Sequence, residues 1–368
     1  AGPDRPLRLV VLIVVDQLPS WTFQRDRGLL VDGIARLVAE GHTTPRAVYP
    51  YAATYTTPGH AALATGAPPD VTGFPGNSWY RPALGRERSA QTDDDSPVFA
   101  IPGVSPPGAR VDGASGRALR VDGIGDVLRR ATGGRARSVA IAMKGYAACM
   151  LGGRHPDLAV WYEPRLAAMT TSRWFAAAPP PWLIELARGH PIAAHFTDTW
   201  WPGDPTRLAH LSGTPDNATG EGGEYDMGTT FPYALAKASD PAKALRSTAL
   251  ADEIEVDTAL AAVDGEHLGE DDVADFLAVS FSAHDYAGHQ WGQESWERLE
   301  VLLRLDEQVG RLLRGLDRRI GSDRYAVIFT SDHGATPLIE RSVAAGTPAR
   351  RIPPAELEAV AEAAAARV

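Results

Sequence analysis

The sequence predicts an α/β fold, a mostly parallel central sheet flanked by helices, with an inserted cap subdomain. Three observations carry this expectation. Short apolar, β-branched-rich runs recur at 9–15, 138–143, 276–281 and 325–330, segments of helical period lie between them, and the composition changes over 151–245. Strands alternating with helices are the signature of an open parallel sheet.

The first run, 9–15, is almost uninterrupted, as expected of a strand covered on both faces. It is too short to span a bilayer and runs into Asp16, which favours a buried strand over an export signal. Residues 29–40 have helical period and stop at Gly41, a helix-ending residue. Pro58, just after Thr56 and Thr57, suits the first turn of a short helix that Gly66 would close. Within 151–245 lie Pro179, Pro180 and Pro181, the step Trp200–Trp201–Pro202, and five of the nine tryptophans. We read this stretch as a cap of irregular structure inserted between core segments 1–150 and 246–368. Leu299, Leu302, Val309, Leu312 and Leu316 return at helical intervals and predict a long helix over 294–316. A last helix is expected from Pro354 to the chain end, with no strand after it, which reads as truncation of the core at its C-terminus.

Composition narrows the chemistry. A formal net charge of −10 argues against general affinity for nucleic acid or anionic membrane. Cys149 is the sole cysteine, so no intrachain disulfide forms and any metal site must use Asp and His. A negative protein that binds phosphate has to concentrate positive charge locally, which metal ions would do.

In open α/β sheets, ligands bind beyond the carboxyl ends of the strands. Asp16, Asp285 and Asp332 all follow predicted strands. Asp285 and His289 are four residues apart, so one helical turn would aim both at a single ion. Asp332 and His333 precede Gly334, where the backbone can turn both side chains to one centre. A hydroxyl from Thr56 or Thr57 at a helix start would sit beside free amides that favour phosphate and alkoxide. Alone, each feature has a plainer explanation: a surface hydrogen bond, or a threonine N-cap. Together they outline a two-metal phosphoryl-transfer centre with a hydroxyl nucleophile.

These segments, VVLIVVDQ, TYTTPGHAALATG, GFPGNSW, SAHDYAGHQ and IFTSDHG, resemble the alkaline phosphatase superfamily. The likeness is to its type I phosphodiesterase/nucleotide pyrophosphatase branch, nearest to phosphate-irrepressible alkaline phosphatases. By that resemblance Thr56 is the nucleophile, and Asn77, 21 residues later, donates to a phosphoryl oxygen. It implies two Zn²⁺ ions, one held by Asp16, Thr56, Asp332 and His333 and the other by Asp285, His289 and a later histidine. No histidine follows His333, so the second site is expected to lack its third protein ligand. Lys144 matches a lysine, assigned to the cap, that contacts the transferred group. Tyr146 stands where the family has an arginine, so the second substrate contact is either lost or replaced by a phenol hydrogen bond. Two Zn²⁺ with Asp16, Asp285, Asp332 and a Thr56 alkoxide sum to zero charge, and Lys144 adds one positive charge for a monoester dianion.

The resemblance therefore implies a zinc-dependent phosphomonoesterase working through phosphothreonine on small phosphate esters. It also implies a periplasmic or secreted setting, without membrane insertion. Two alternatives stand beside it: a phosphodiesterase or nucleotide pyrophosphatase on the same metal core, favoured by Tyr146, and a truncated or metal-deficient protein that binds phosphate esters without turnover. A sulfatase is disfavoured, because Cys149 lies in ACMLGG and not in a C/S-x-P-x-R context. Nothing in the sequence fixes the oligomeric state.

Overall fold

The computed structural model describes residues 6–44, 47–52 and 54–367. Its centre is a six-stranded sheet of β1 (Leu9–Val15), β2 (Ser138–Ala142), β3 (Leu158–Glu163), β4 (Ala168–Thr170), β5 (Asp275–Phe281) and β6 (Tyr325–Thr330), in the order β6-β1-β5-β2-β3-β4. All neighbours pair in parallel except β3 with β4. The α/β expectation is met.

Register decides where the chemistry sits. Val14 is level with both Ser280 and Thr330, and Ala142 is level with Ser280. Asp16, Lys144 and Asp332 are each two residues past this common level. Four neighbouring strands therefore deliver their next residues to one edge of the sheet.

Every residue of β2 and β5 is buried, as is all of β1 except half-buried Val10, so both faces are covered. One group of helices is α2 (Thr56–Thr65) with α3 (Gly145–Gly152), the latter lying on β2 and β3. The other comprises α4 (Leu250–Gly265) on β2 and β5, and the long α6 (Trp296–Arg319), which packs on α4, on α1 (Gly33–Glu40) and on α5 (Ala283–Trp291). The helix expected over 294–316 thus spans Trp296–Arg319, started by Ser295, whose side chain accepts the Arg298 amide.

Three features depart from the sequence reading. First, β6 is not covered on both faces: it is an edge strand paired only with β1, and Ile328 on it is 47% exposed. Second, β3 and β4 fall within 151–245, so the sheet extends into the stretch read as an insertion. Third, Lys144 follows core strand β2 and does not lie in that stretch. A small hairpin, Thr199–Trp200 with Tyr233–Ala234, does pack onto the core. Trp200, Phe231, Tyr233 and Trp291 form an aromatic cluster with centroid separations from 4.8 to 6.0 Å, seating the hairpin on α5. The last helix, α7 (Pro354–Ala365), is exposed throughout. No helix among the described residues is long and apolar enough to cross a membrane.

The crossing of α1 on α6 shows how tightly the second layer is built. A Cβ on Gly33 would lie 2.1 Å from the Gly310 nitrogen, so the backbones touch. At the same point buried Asp306 accepts from the amides of Val31, Asp32 and Ile34, each at 2.7 Å, and of Ala35 at 3.3 Å. It satisfies the N-terminal donors of α1 and complements the helix dipole. Asp306→Ala strands those amides and should lower unfolding free energy by about 3 kcal/mol, with Asp306→Asn intermediate. A urea midpoint unchanged in Asp306→Ala would refute this role.

Candidate metal and phosphate site

Three carboxylates converge at the strand ends. Asp16 is fully buried, Asp332 likewise, and Asp285 is 1% exposed. Among the described residues, Asp16, Asp332 and His333 form the one cluster whose ligand atoms all lie within 4.8 Å of one another. His333 Nε2 is 3.4 Å from Asp16 Oδ1, 3.6 Å from Asp332 Oδ2 and 3.8 Å from Asp285 Oδ1. His333 Nδ1 is 2.9 Å from the Gly334 carbonyl, which can only accept. Nδ1 must therefore carry a proton, which aims Nε2 at the carboxylates, the orientation a metal ligand needs.

The neighbouring cations are close. Lys144 Nζ is 2.6 Å from Asp16 Oδ2, contacts Asp285 Oδ2, and is 3.5 Å from the Thr56 hydroxyl. Burial disfavours its charge, but Asp16 and Asp285 outweigh burial and raise the ammonium well above its ordinary range. Burial would likewise lower His333, yet Asp332, Asp16 and Asp285 raise it to about 10. For Asp332 burial acts upward, and His60 and His333 overcome it to hold the carboxyl at about 2. Asp285 is raised by burial and Asp16, and lowered on balance by Lys144 and His289.

Thr56 opens α2, with no side-chain cap, and its hydroxyl lies 3.3 Å from His333 Nε2. The helix can sit this close because Gly59 has no Cβ: one there would be 2.3 Å from the Asp332 carbonyl oxygen. Asn77 Oδ1 accepts the Thr57 amide at 2.8 Å, and its carboxamide nitrogen has no acceptor among the described residues. Thr56, Asn77, Lys144, Tyr146, Asp285, Tyr286 and His289, with Glu224, line one cavity of about 160 Å³. On α5, His289 Nε2 is 3.2 Å from Asp285 Oδ1, as the four-residue spacing predicts. Every residue the resemblance singled out is thus in this cavity or in the carboxylate cluster beside it.

Several supporting residues escaped the sequence reading. Gln17, in left-handed conformation with φ 60°, donates its amide to Asp332 Oδ1 at 3.0 Å. Its Nε2 donates to Asp285 Oδ1 at 2.8 Å and lies 3.1 Å from His289 Nε2, while its Oε1 accepts from Gln293 at 2.6 Å. One residue, through its backbone amide on one side and its side chain on the other, therefore ties both halves of the cluster together. Gly288 makes this possible, since a Cβ there would lie 2.3 Å from both Gln17 and Gln293. His60, read from sequence as a packed residue, donates Nδ1 to the Thr56 carbonyl at 2.8 Å and lies 3.2 Å from Asp332 Oδ2. Ser331 joins the two strand ends by accepting the Leu18 amide at 2.9 Å. Glu255, buried on α4, accepts the Met143 amide at 2.6 Å and fixes the turn that presents Lys144. A left-handed residue straight after a strand-end Asp has no distinct sequence signal. The Gly in TTPGH was the one available cue to close packing.

Residues 10–351 match the type I phosphodiesterase / nucleotide pyrophosphatase family. The alkaline phosphatase PhoV of Synechococcus elongatus is 29% identical over 89% of this chain and 59% of its own length. Alkaline phosphatase PafA of Elizabethkingia meningoseptica is 29% identical over 89% of this chain and 60% of its own. This chain thus spans about three-fifths of these relatives. A crystal structure of wild-type PafA superposes with TM-score 0.86 at 28% identity, covering 94% of this chain and 66% of that one.

A cation entering the cluster must displace the proton on His333 Nε2 and compete with Lys144 for Asp16 and Asp285. Because His333 is raised to about 10, the proton competes throughout the neutral range and its hold weakens as pH rises. Apparent Zn²⁺ affinity should therefore increase between pH 6 and 8, by up to about tenfold per unit for one proton released. Calorimetric titration at several pH values measures this, and a flat profile would contradict the assignment.

Proposed function

We propose that this chain, which belongs to the type I phosphodiesterase / nucleotide pyrophosphatase family, carries the centre of a zinc-dependent phosphomonoesterase that works through phosphothreonine at Thr56. The observation that carries the reading is the Thr56 hydroxyl. It is buried at a helix start, 3.5 Å from Lys144 Nζ and 3.3 Å from His333 Nε2, and faces the cavity shared with Asn77. The similarity to proteins named alkaline phosphatases supports the same reaction class.

The residues fit a divalent ion. Asp16 and Asp332 are fully buried and balanced only by the side chains of Lys144, His60 and His333, and His333 Nε2 is aimed at both carboxylates. In this reading Asp16, Asp332, His333 and Thr56 hold one ion, and Asp285 with His289 supply ligands to a second. A carboxylate and imidazole donor set suits zinc. Such ions lower the pKa of a bound hydroxyl and offset phosphate charge.

The chain's own groups do the rest. In this reading Thr56 Oγ attacks phosphorus in line, its proton leaves with the expelled alcohol, the threonine becomes esterified, and water then restores the hydroxyl. Asn77 Nδ2 is free to donate to a non-bridging oxygen in both steps. Lys144 supplies a positive charge that matches the additional negative oxygen of a monoester. A cavity of about 160 Å³ accommodates the phosphoryl group and leaves the alcohol portion outside, consistent with small esters of varied structure. The phosphodiesterase alternative rests on Tyr146, a neutral group where the family's phosphatases have a guanidinium. Location outside the cytoplasm belongs to the same reading and rests on the resemblance alone.

Thr56→Ala should lower turnover of an aryl phosphate by more than about 10³-fold while inorganic phosphate still binds. Retained turnover would remove Thr56 as nucleophile. For the parent chain, kcat/KM should be higher for an aryl monoester than for its methyl diester, and the reverse order would favour the diesterase.

A further inference from the structure

Arg246 contacts Tyr286, one of the residues lining the Thr56 cavity, and forms no ion pair among the described residues. Its guanidinium donates instead to the Lys243 carbonyl at 3.2 Å, to Tyr286 Oη at 2.9 Å and to Tyr225 Oη at 3.2 Å. Its Cζ also lies 4.5 Å from the Tyr286 ring centroid, and Lys144 Nζ lies 4.9 Å from the same ring. Burial works against the Arg246 charge, and the surrounding phenols Tyr286, Tyr225 and Tyr146 offset it. A half-buried cation with no carboxylate partner, beside an anion cavity, requires a reason.

The phenols supply one. A tyrosine hydroxyl has a single proton and accepts through its lone pairs. When Tyr286 Oη accepts from Arg246, its own proton is directed elsewhere. No protein acceptor takes it among the described hydrogen bonds. Tyr286 lines the cavity with Thr56, Asn77, Lys144 and Tyr146. A guanidinium bonded to the oxygen polarises the O–H and strengthens it as a donor to an anion. Tyr225 secures the other branch of the guanidinium, and it does so from a left-handed conformation with φ 55°, followed by Asp226 at φ 58°. Two successive non-glycine residues in that region are costly, as is typical where a side chain must be held in place.

We propose that Tyr286 is a substrate-binding donor to a non-bridging phosphoryl oxygen, with Arg246 as the positioning residue that orients and polarises it. The pair takes over, through a phenol, the positive contribution that Tyr146 does not make. The ligand class is a tetrahedral oxyanion of monoester charge. The inference rests on the phosphomonoesterase reading but concerns different residues, so the two can fail separately.

The test uses the zinc-loaded full chain with Tyr286→Phe, Arg246→Gln, Arg246→Lys and the Tyr286→Phe/Arg246→Gln double variant, each checked for bound zinc. Two readouts are taken: kcat/KM on an aryl monoester and its methyl diester, and calorimetric affinity for inorganic phosphate. Losing one hydrogen bond to a charged oxygen should lower monoester kcat/KM and phosphate affinity by about 10- to 100-fold in Tyr286→Phe, with a smaller loss on the diester. Arg246→Gln should lower both by less, Arg246→Lys should recover part of the loss, and the double variant should be little worse than Tyr286→Phe alone, because Arg246 acts through the phenol. Unchanged phosphate affinity in Tyr286→Phe, or fully additive losses, would overturn the proposal. If Tyr286→Phe disturbs zinc at neighbouring Asp285, Arg246→Gln decides by the same readouts. If the parent chain hydrolyses neither ester, the phosphomonoesterase reading fails, and phosphate affinity still decides whether Tyr286 binds the oxyanion.

Discussion

Everything in this structure depends on three carboxylates, Asp16, Asp285 and Asp332, sharing a dry space at the ends of adjacent strands. Unscreened, such a cluster is strongly unfavourable, since burial and mutual repulsion both oppose ionisation. The protein answers with cations drawn from elsewhere in the chain: Lys144 between Asp16 and Asp285, and His60 and His333 around Asp332. The depressed Asp332 and raised His333 are two sides of that compensation. A set of negative ligands held this way is suited to exchange part of its internal positive charge for metal ions, whose charge then becomes available to phosphate.

The surrounding fold can be understood as the means of holding the cluster. Parallel register brings the strand ends level, so Asp16, Lys144 and Asp332 need no long loops. Gln17 then connects Asp332 to Asp285 and His289, and Gly59 and Gly288 let two helices approach closely enough to present Thr56 and Asp285. Aromatic packing of the 199–234 hairpin on Trp291 braces α5 from the far side. Short turns directly at strand ends, together with the helices that carry Thr56, Asp285 and His289, set the geometry, which suits chemistry that relies on positioning and preorganised charge.

Much of this was legible in the sequence because the informative signals were local. Apolar runs leading into Asp16 and Asp332 gave two strands and two candidate ligands, and the spacing of Asp285 and His289 gave their shared helical turn. The resemblance then narrowed two threonines to Thr56 and brought in Asn77, Lys144 and Tyr146. What escaped was set by long-range contact. Gln17 meets Gln293 and Arg246 meets Tyr286 only after folding, and no local pattern marks those pairs. The strands at Leu158–Glu163 and Ala168–Thr170 were hidden in a stretch dominated by tryptophan and proline. Tyr325–Thr330 looked like a central strand because its composition matches one, whereas its place at the sheet edge and the exposure of Ile328 are set by the tertiary arrangement.

The central claim is that the carboxylate cluster exists to hold metal for phosphoester hydrolysis. Its most direct test is to strip the protein with a chelator, remove the chelator, and follow aryl phosphate turnover against zinc bound per chain as the ion is added back. The account predicts that turnover vanishes on stripping and returns in proportion to bound zinc. Full activity in metal-free protein, or tight zinc binding with no activity at any loading, would contradict it.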